Sequence, residues 1–443
     1  MKQSSLLMNR NSITHKLATV MIGSALFVAC AKDRDVFNKN TASAHSSEVL
    51  DKWMTMQLRL MRNTPGITNQ GFARPFAYSG IAAFESLKPG LNNSYRWSDR
   101  WNGLTGIPVE DKAKNYFLPA NVNAALAEVN KALFPSATAT DKAAIDSLEN
   151  ALAAEYRSTQ TAEVIEHSSQ YGKAVGAAVV AWAATDGASN ASAPYTVPTG
   201  TGMWQPTAPQ FSPPITPYWG NNRPVIQGSI AGAQPQPPGA YSADPSSPFY
   251  AMVKSVYDAS QNLTTDQKDM AIFWRDVPGQ TSPGHWLSIL QAAIRSSKSK
   301  LDKAAEAYAL TGSALNDALI ACFAAKYQYN VVRPITYIRD IMGHTGWNTQ
   351  IGTPAHPEYP SAHASLSAAA GEVLQELFGN RGTITDHTYD YMGLAPRSYP
   401  SFTAIGEEAG RSRLYGGIHY TQSIDAGFDQ GRKVVANIFS KHK

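Results

Sequence analysis

Cysteine is almost missing from this chain, which carries two, Cys30 and Cys322, in 443 residues. With Cys30 lipidated, as argued below, Cys322 has no partner and no internal disulfide forms. A chain of this length does not need one to hold a core. Cys322 lies in the apolar run LIACFAAKY and reads as a buried small hydrophobe. Convincing runs of alternating polar and apolar residues are missing too, which excludes a sheet-based fold and leaves an all-α chain. Haem, flavin and nicotinamide motifs are absent. So is a surplus of charge. Residues 1–29 hold three basic side chains, Lys2, Arg10 and Lys16, and no acidic one, so removing them lowers the net charge from +4 to +1. The high isoelectric point is then no sign of a nucleic-acid partner.

What is present begins with a leader. The three basic residues form a positive start, and 17–29 is apolar but shorter than the ~20 residues a membrane-spanning helix needs. Phe27-Val28-Ala29-Cys30 is similar to a bacterial lipobox, with Phe27 where Leu is usual. We expect a signal peptide over 1–29, a lipid on Cys30 and a linker over 30–45. The protein would be exported: periplasmic, anchored at the outer membrane, or secreted. Membrane contact would run only through that anchor, and 46–443 would form one folded unit.

Within that unit, helical spacing recurs. Val49, Trp53, Met56, Leu58 and Met61 share a face over 46–61; Ile145, Leu148, Leu152 and Tyr156 do so over 140–156, with Thr138 and Asp141 placed to cap the start. Residues 75–87, 121–134, 160–184, 285–297, 303–327, 361–378 and 403–415 read likewise. Thr264-Thr-Asp-Gln267 reads as a capping box ahead of 270–274. The helical count comes near a dozen. Residues 190–248, rich in Pro, Gly, Ser and Thr, interrupt it. Their aromatics Trp204, Phe211, Tyr218 and Trp219 argue for an ordered excursion packed across the helices, either a wall of a pocket or a surface flap. The excursion separates an N-terminal helical half from a C-terminal half, 249–443.

All the chemistry-bearing motifs fall in that second half. HPEYPSAHASLSAAAGEVL, 356–374, is a loop entering a helix, with Ser361 as the N-cap. The first-turn amides of Ala362 and His363 can point at an anion. Upstream, Lys326 and Arg333 are seven residues apart, close to two helical turns, and Pro334 ends the helix just before Arg333. Downstream, Arg413 and His419 are six apart, on different faces of a straight helix, and Gly416-Gly417 supplies the break that turns His419 back. Arg forks and a Lys ammonium match the oxygens of a tetrahedral or trigonal-bipyramidal oxyanion.

The series K-x6-R-P, then P-S-x-H, then S-R-x5-H resembles the three-part signature of the vanadium-dependent haloperoxidases and type 2 phosphatidic acid phosphatases. ITPYWGN, FWRDVPG and HPEYPSAHA look like bacterial haloperoxidases, so the resemblance covers about residues 45–440. It implies paired helical bundles, a vanadate cofactor whose place phosphate takes in its absence, and hydrogen peroxide and a halide as substrates. It further implies that His419 bonds the metal axially, that His363 is the acid–base group, and that Lys326 polarises the peroxide. Lys326, Arg333, Ser361, an amide beside it and Arg413 would hold the oxyanion, with Ala362 where the family usually has Gly. Asp276 resembles the acid that supports the pocket arginines through a buried ion pair. Phe323 stands where chloroperoxidases have Trp. His356 matches a histidine of brown-algal bromoperoxidases where chloroperoxidases have Phe, which points to bromide or iodide.

Two other classes compete. An acid phosphatase would use His419 as nucleophile through a phospho-histidine; its usual Asp four residues on is Ser423 here, and the next acid is Asp425. A non-catalytic oxyanion-binding lipoprotein would not need two poised histidines. A zinc site from His356, Glu358 and His363 is disfavoured by the three cations nearby. Monomer and homodimer are both compatible with the sequence.

Overall fold

The structure, a computed structural model, describes residues 41–91 and 97–440. The leader, Cys30 and its lipobox lie outside the described residues. The first half contains α1 (Glu48–Asn63), α2 (Ala73–Ser86), α3 (Leu118–Leu133), α4 (Ala139–Arg157) and α5 (Ala162–Ala183). After the excursion come α6 (Pro248–Gln261), α7 (Thr265–Phe273), α8 (Pro283–Ser297), α9 (Leu301–Tyr329) and α10 (Pro334–Asp340). The chain closes with α11 (Ala362–Phe378), α12 (Phe402–Tyr415) and α13 (Thr421–Phe439). The expected caps are made: the Thr138 hydroxyl accepts the Asp141 N–H, and Thr264 with Gln267 forms a reciprocal capping box.

Three of these helices were not anticipated. Helix α6 begins at Pro248, directly after the Pro-rich run, and α10 is only seven residues long. In α13 the apolar period is broken by Gly427 and Gly431, which read as breakers in sequence but lie in a close helix contact. A Cβ on Gly431 would stand 2.2 Å from the Ser365 carbonyl oxygen, and one on Gly427 2.6 Å from that of Ser361. The only strands among the described residues are short, β1 (Ile384–Asp386) and β2 (Arg397–Tyr399), paired antiparallel.

Helix α9 joins the two bundles and is buried along nearly all its length, packing on α2 and on α11. It is long and apolar enough to cross a membrane, but here it is a core helix. Its approach to α2 is set by small residues: a Cβ on Gly312 would meet the Ala77 backbone at 2.8 Å, and one on Gly80 the Tyr308 carbonyl at 2.5 Å. Such contacts let dispersion act between backbones rather than only between side chains.

The excursion is ordered and braces the motif-bearing segments from behind. Trp204 and Trp219 are buried, whereas Phe211 is exposed. The Trp204 N–H donates to Asn330 O at 2.8 Å and the Val332 N–H to Gly202 O at 3.0 Å, fixing the link that carries Arg333. The Ile215 N–H donates to Ala355 O, and the Tyr359 hydroxyl to Gln236 O, fixing the 356–361 loop. Farther back, the buried Asp317 carboxylate of α9 accepts the Val225 and Ile226 N–H groups and the Ser229 hydroxyl at 2.6–3.0 Å.

Candidate active site

The three motifs converge. Lys326 occupies the last turn of α9, which ends at Asn330 in the left-handed conformation (φ 50°). Arg333 then sits in extended backbone (φ −78°, ψ 150°), as the following proline requires. The helix is therefore not continuous from Lys326 to Arg333; the break lies three residues before the arginine. Ser361 caps α11, and Ala362 and His363 are its first two residues, with unpaired first-turn amides. Arg413 lies in the last turn of α12, and Gly417 (φ 76°) reverses the chain to bring His419 back. All of these side chains are buried.

His419 is held from a direction the sequence did not reveal. Its Nδ1 lies 2.7 Å from Glu358 Oε1, and the Tyr420 N–H donates to the same oxygen at 3.0 Å. A carboxylate at Nδ1 fixes that nitrogen as the protonated one and leaves the Nε2 lone pair facing the pocket. Arg333 Nη1 approaches this Nε2 at 3.2 Å. Ser423 does not supply the acid; its backbone carbonyl receives the Ser361 N–H instead. Among the described residues Glu358 belongs to no cluster of three or more candidate metal ligands; its role here is to orient His419. The available signal was an acid within an otherwise apolar loop, His356-Pro-Glu-Tyr-Pro. Its partner lies 61 residues away, which no local pattern encodes.

Lys326 donates to Pro357 O and Glu358 O at 2.9 and 3.0 Å, leaving one of its three protons. Burial pushes its ammonium down to about 7. Arg333 is committed to the protein more fully than expected, donating to His356 O and Ile418 O at 2.9 Å and meeting His356 Nδ1 at 3.0 Å. His356 is thus a buried neighbour of Arg333, with its ring tilted against Phe323 at 5.3 Å. Phe323 backs this histidine.

Arg413 differs. Its Nη1 donates to Trp274 O at 2.5 Å, whereas Nε and Nη2 are buried without any partner. Asp276 makes no ion pair with an arginine among the described residues. Its Oδ1 instead stands 3.6 Å from His363 Nε2, and neither atom has a hydrogen bond. The expected arginine support is therefore corrected to a His363–Asp276 pairing, with Trp274 O taking over the arginine. A backbone carbonyl acceptor of this kind is invisible in sequence, because its identity depends on the fold alone.

The convergence shapes the local electrostatics. Burial, then Arg333, Lys326 and Arg413, hold His419 well below its usual value. His363 is likewise pushed well below by burial and then Arg413. Burial lowers Arg333 and Arg413 themselves to about 10 and raises Asp276 and Glu358, the latter to about 7. The result is a buried pocket with neutral histidines and a surplus of unpaired cationic donors.

The family model described as the VCPO second helical-bundle domain matches residues 306–443. Among solved structures, the chain is similar to the first bacterial vanadium-dependent iodoperoxidase. The TM-score is 0.78 and the identity 31%, covering 90% of this chain and 96% of that one. The apo- and holo-type bacterial vanadium-dependent chloroperoxidase structures share the fold. Their TM-scores are 0.63 and 0.66 at 17% and 16% identity, over 85% and 87% of this chain and 95% of each of theirs. A search of curated proteins finds no match. Motif geometry, fold and similarity over nearly the whole length agree: the chain belongs to the vanadium-dependent haloperoxidase family.

Proposed function

We propose that this enzyme is a vanadate-dependent haloperoxidase that oxidises iodide or bromide with hydrogen peroxide to hypohalous acid. The observation that carries the reading is the orphaned donor set of Arg413 beside His363 and Asp276. Buried charged groups without partners are strongly destabilising unless a ligand pairs with them. The donors here suit a small oxyanion. Arg413, Lys326, Arg333, the Ser361 hydroxyl and the first-turn amides of α11 would hold it, and His419 Nε2 is the lone pair presented to the metal. Bound vanadate supplies Lewis acidity toward peroxide without a change of oxidation state.

The chain's own groups supply the rest. Glu358 keeps the proton on His419 Nδ1. His363, neutral because burial and Arg413 disfavour its charged form, accepts a proton from incoming peroxide at Nε2. Asp276, 3.6 Å away, stabilises the imidazolium so formed. Lys326 is held by two carbonyls with one donor left to polarise the peroxide. Overall, halide, peroxide and a proton give hypohalous acid and water; the halide loses two electrons and the O–O bond takes them up.

The similarity to an iodoperoxidase at 31% identity supports iodide as the first substrate, and softer halides are the easier to oxidise. The missing Asp at Ser423 no longer argues against a phosphatase, because Glu358 serves His419 in its place. The deciding experiment loads the purified chain with orthovanadate. Oxidation of iodide, bromide and chloride by peroxide is then measured beside p-nitrophenyl phosphate hydrolysis without vanadate. Turnover of iodide above bromide, with chloride inert, is expected. Phosphate-ester hydrolysis without any halide oxidation would sink the reading. We also propose export with a lipid on Cys30; mass spectrometry of the mature N-terminus tests this, and an unmodified Cys30 refutes it.

A further inference from the structure

The β1–β2 hairpin belongs to none of the motifs, yet it reaches the pocket. Asp386, at the end of β1, meets His285 of α8 at 2.5 Å, both buried. The His285 ring stacks on Trp274 at 4.3 Å and 20°, and the Trp274 carbonyl holds Arg413. From β2, Arg397 and Tyr399 each meet Glu408 at 2.6 Å, and Glu408 accepts the Trp274 indole N–H at 3.0 Å. Both strands are therefore tied to the residue that positions Arg413.

The loop between them carries Tyr389. Its ring stands edge-on to His285 (4.9 Å, 74°) and to Phe273 (5.3 Å, 87°). The residue is 1% exposed, and its hydroxyl lies within hydrogen-bond distance of no partner, Thr281 being only a weak neighbour. Thr281, beside it, already donates to Arg275 O at 2.9 Å and accepts the Val277 N–H at 2.8 Å. Asp276 and Arg413 are electrostatic neighbours of the phenol. Both also carry orphaned buried atoms, so the phenol adds a third unsatisfied side chain, from a third segment, to one electrostatic neighbourhood.

We propose that Tyr389 is a further binding residue of the oxyanion pocket, its phenolic O–H donating to the anion that Arg413 holds. The proposal rests on the oxyanion reading above. A buried hydroxyl without a partner destabilises the ligand-free protein and becomes favourable when an acceptor arrives. Burial keeps this phenol protonated, so it stays a donor.

Tyr389→Phe keeps the ring contacts and removes only the hydroxyl. Calorimetric titration of vanadate-stripped protein with orthovanadate, and separately with inorganic phosphate, reads the effect without turnover. Affinity for both anions should fall roughly 10- to 100-fold, the range for a hydrogen bond to a charged group. The anion-free unfolding temperature should stay level or rise. Unchanged affinity overturns the proposal, as does a lowered anion-free unfolding temperature with affinity intact, which would mark a structural hydrogen bond. Wild-type protein that binds neither anion would remove the oxyanion reading itself, and this inference with it.

Discussion

The two helical halves use the same packing device and bury different chemistry. In the first half, Gly172 and Gly176 of α5 lie against α3, where a Cβ would stand 2.1 Å from Asn121 O and 2.9 Å from Ala125 O. In the second, Gly427 and Gly431 of α13 lie against Ser361 and Ser365 of α11 at similar spacing. Both pairs are four residues apart, one turn on a helix face. The halves differ in their buried charge. Asp186 of the first is paired with Arg74 at 2.6 Å and with the Tyr78 hydroxyl at 2.9 Å, and Asp141 with Arg59 at 2.7 Å. Its orphaned atoms include Thr64 Oγ1, Asn121 Oδ1 and Tyr171 Oη, which are neutral, and one Glu85 oxygen, which Lys88 approaches at 3.7 Å. In the second half the orphans include a guanidinium, a carboxylate and an imidazole in one cluster. A lone unsatisfied atom is ordinary; a cluster of ionisable ones marks a place shaped for a ligand.

The sharpest test of that contrast is His363→Ala. If the cluster is chemical, halide oxidation should fall by about 10²–10⁴-fold, the worth of a general acid–base group. Vanadate should still bind, more weakly, and the unfolding midpoint should fall modestly, because truncating the buried ring leaves a cavity and removes its hydrogen bond to the Trp274 backbone. Peroxide-dependent halogenation that survives unchanged would return His363 to the structural class.

A satisfied buried charge should behave in the opposite way. Asp317, with its four donors, Val225, Ile226, Ser229 and Asn316, affects folding and not chemistry. Burial raises its pKa from 3.8 to about 6. The folded state thus binds the proton more tightly than the unfolded chain, so this group's contribution is greatest below pH 3.8 and declines as pH rises towards 6. At about 1.36 kcal/mol per unit the decline is on the order of 2–4 kcal/mol. Denaturant unfolding between pH 4 and 7 should show this slope in the wild type and its absence in Asp317→Asn. Parallel curves would mean that the four hydrogen bonds outweigh desolvation.

Most helices were legible because their apolar periods are long and their caps local. The Ser361 cap and the Gly417 reversal could be read for the same reason, since each is a property of adjacent residues; Pro334 fixed Arg333 in extended backbone but opens α10, and α9 already ends at Asn330. What escaped was relational. Glu358 finds His419 only once the 356–361 loop has folded over α13, and Trp274 matters through its carbonyl rather than its indole alone. Asp276 was recognisable as a pocket acid, but its partner was not, because His363 and Arg413 sit on different helices and only packing decides which one it faces. Helix α13 escaped for a packing reason, its glycines being contact points that look like breakers.

Those glycines supply the smallest effect and the cleanest comparison of the halves. Gly172→Ala and Gly427→Ala each force a methyl into a backbone carbonyl, at 2.1 and 2.6 Å. Overpacking of this kind costs roughly 1–3 kcal/mol, so both should lower the unfolding midpoint. Their functional consequences should diverge. The methyl on Gly427 presses on Ser361 and Ala364, the capping turn whose amides face the anion, and a shift of a few tenths of an ångström there misplaces donors. Gly172→Ala disturbs the α3–α5 contact at Asn121 and Ala124, which includes none of the motif residues. Vanadate affinity per folded molecule, measured well below both midpoints, should therefore fall for Gly427→Ala and stay level for Gly172→Ala. Equal losses would mean that strain spreads through α9 from one bundle to the other, and that the site depends on the whole two-bundle body rather than on the turn beneath it.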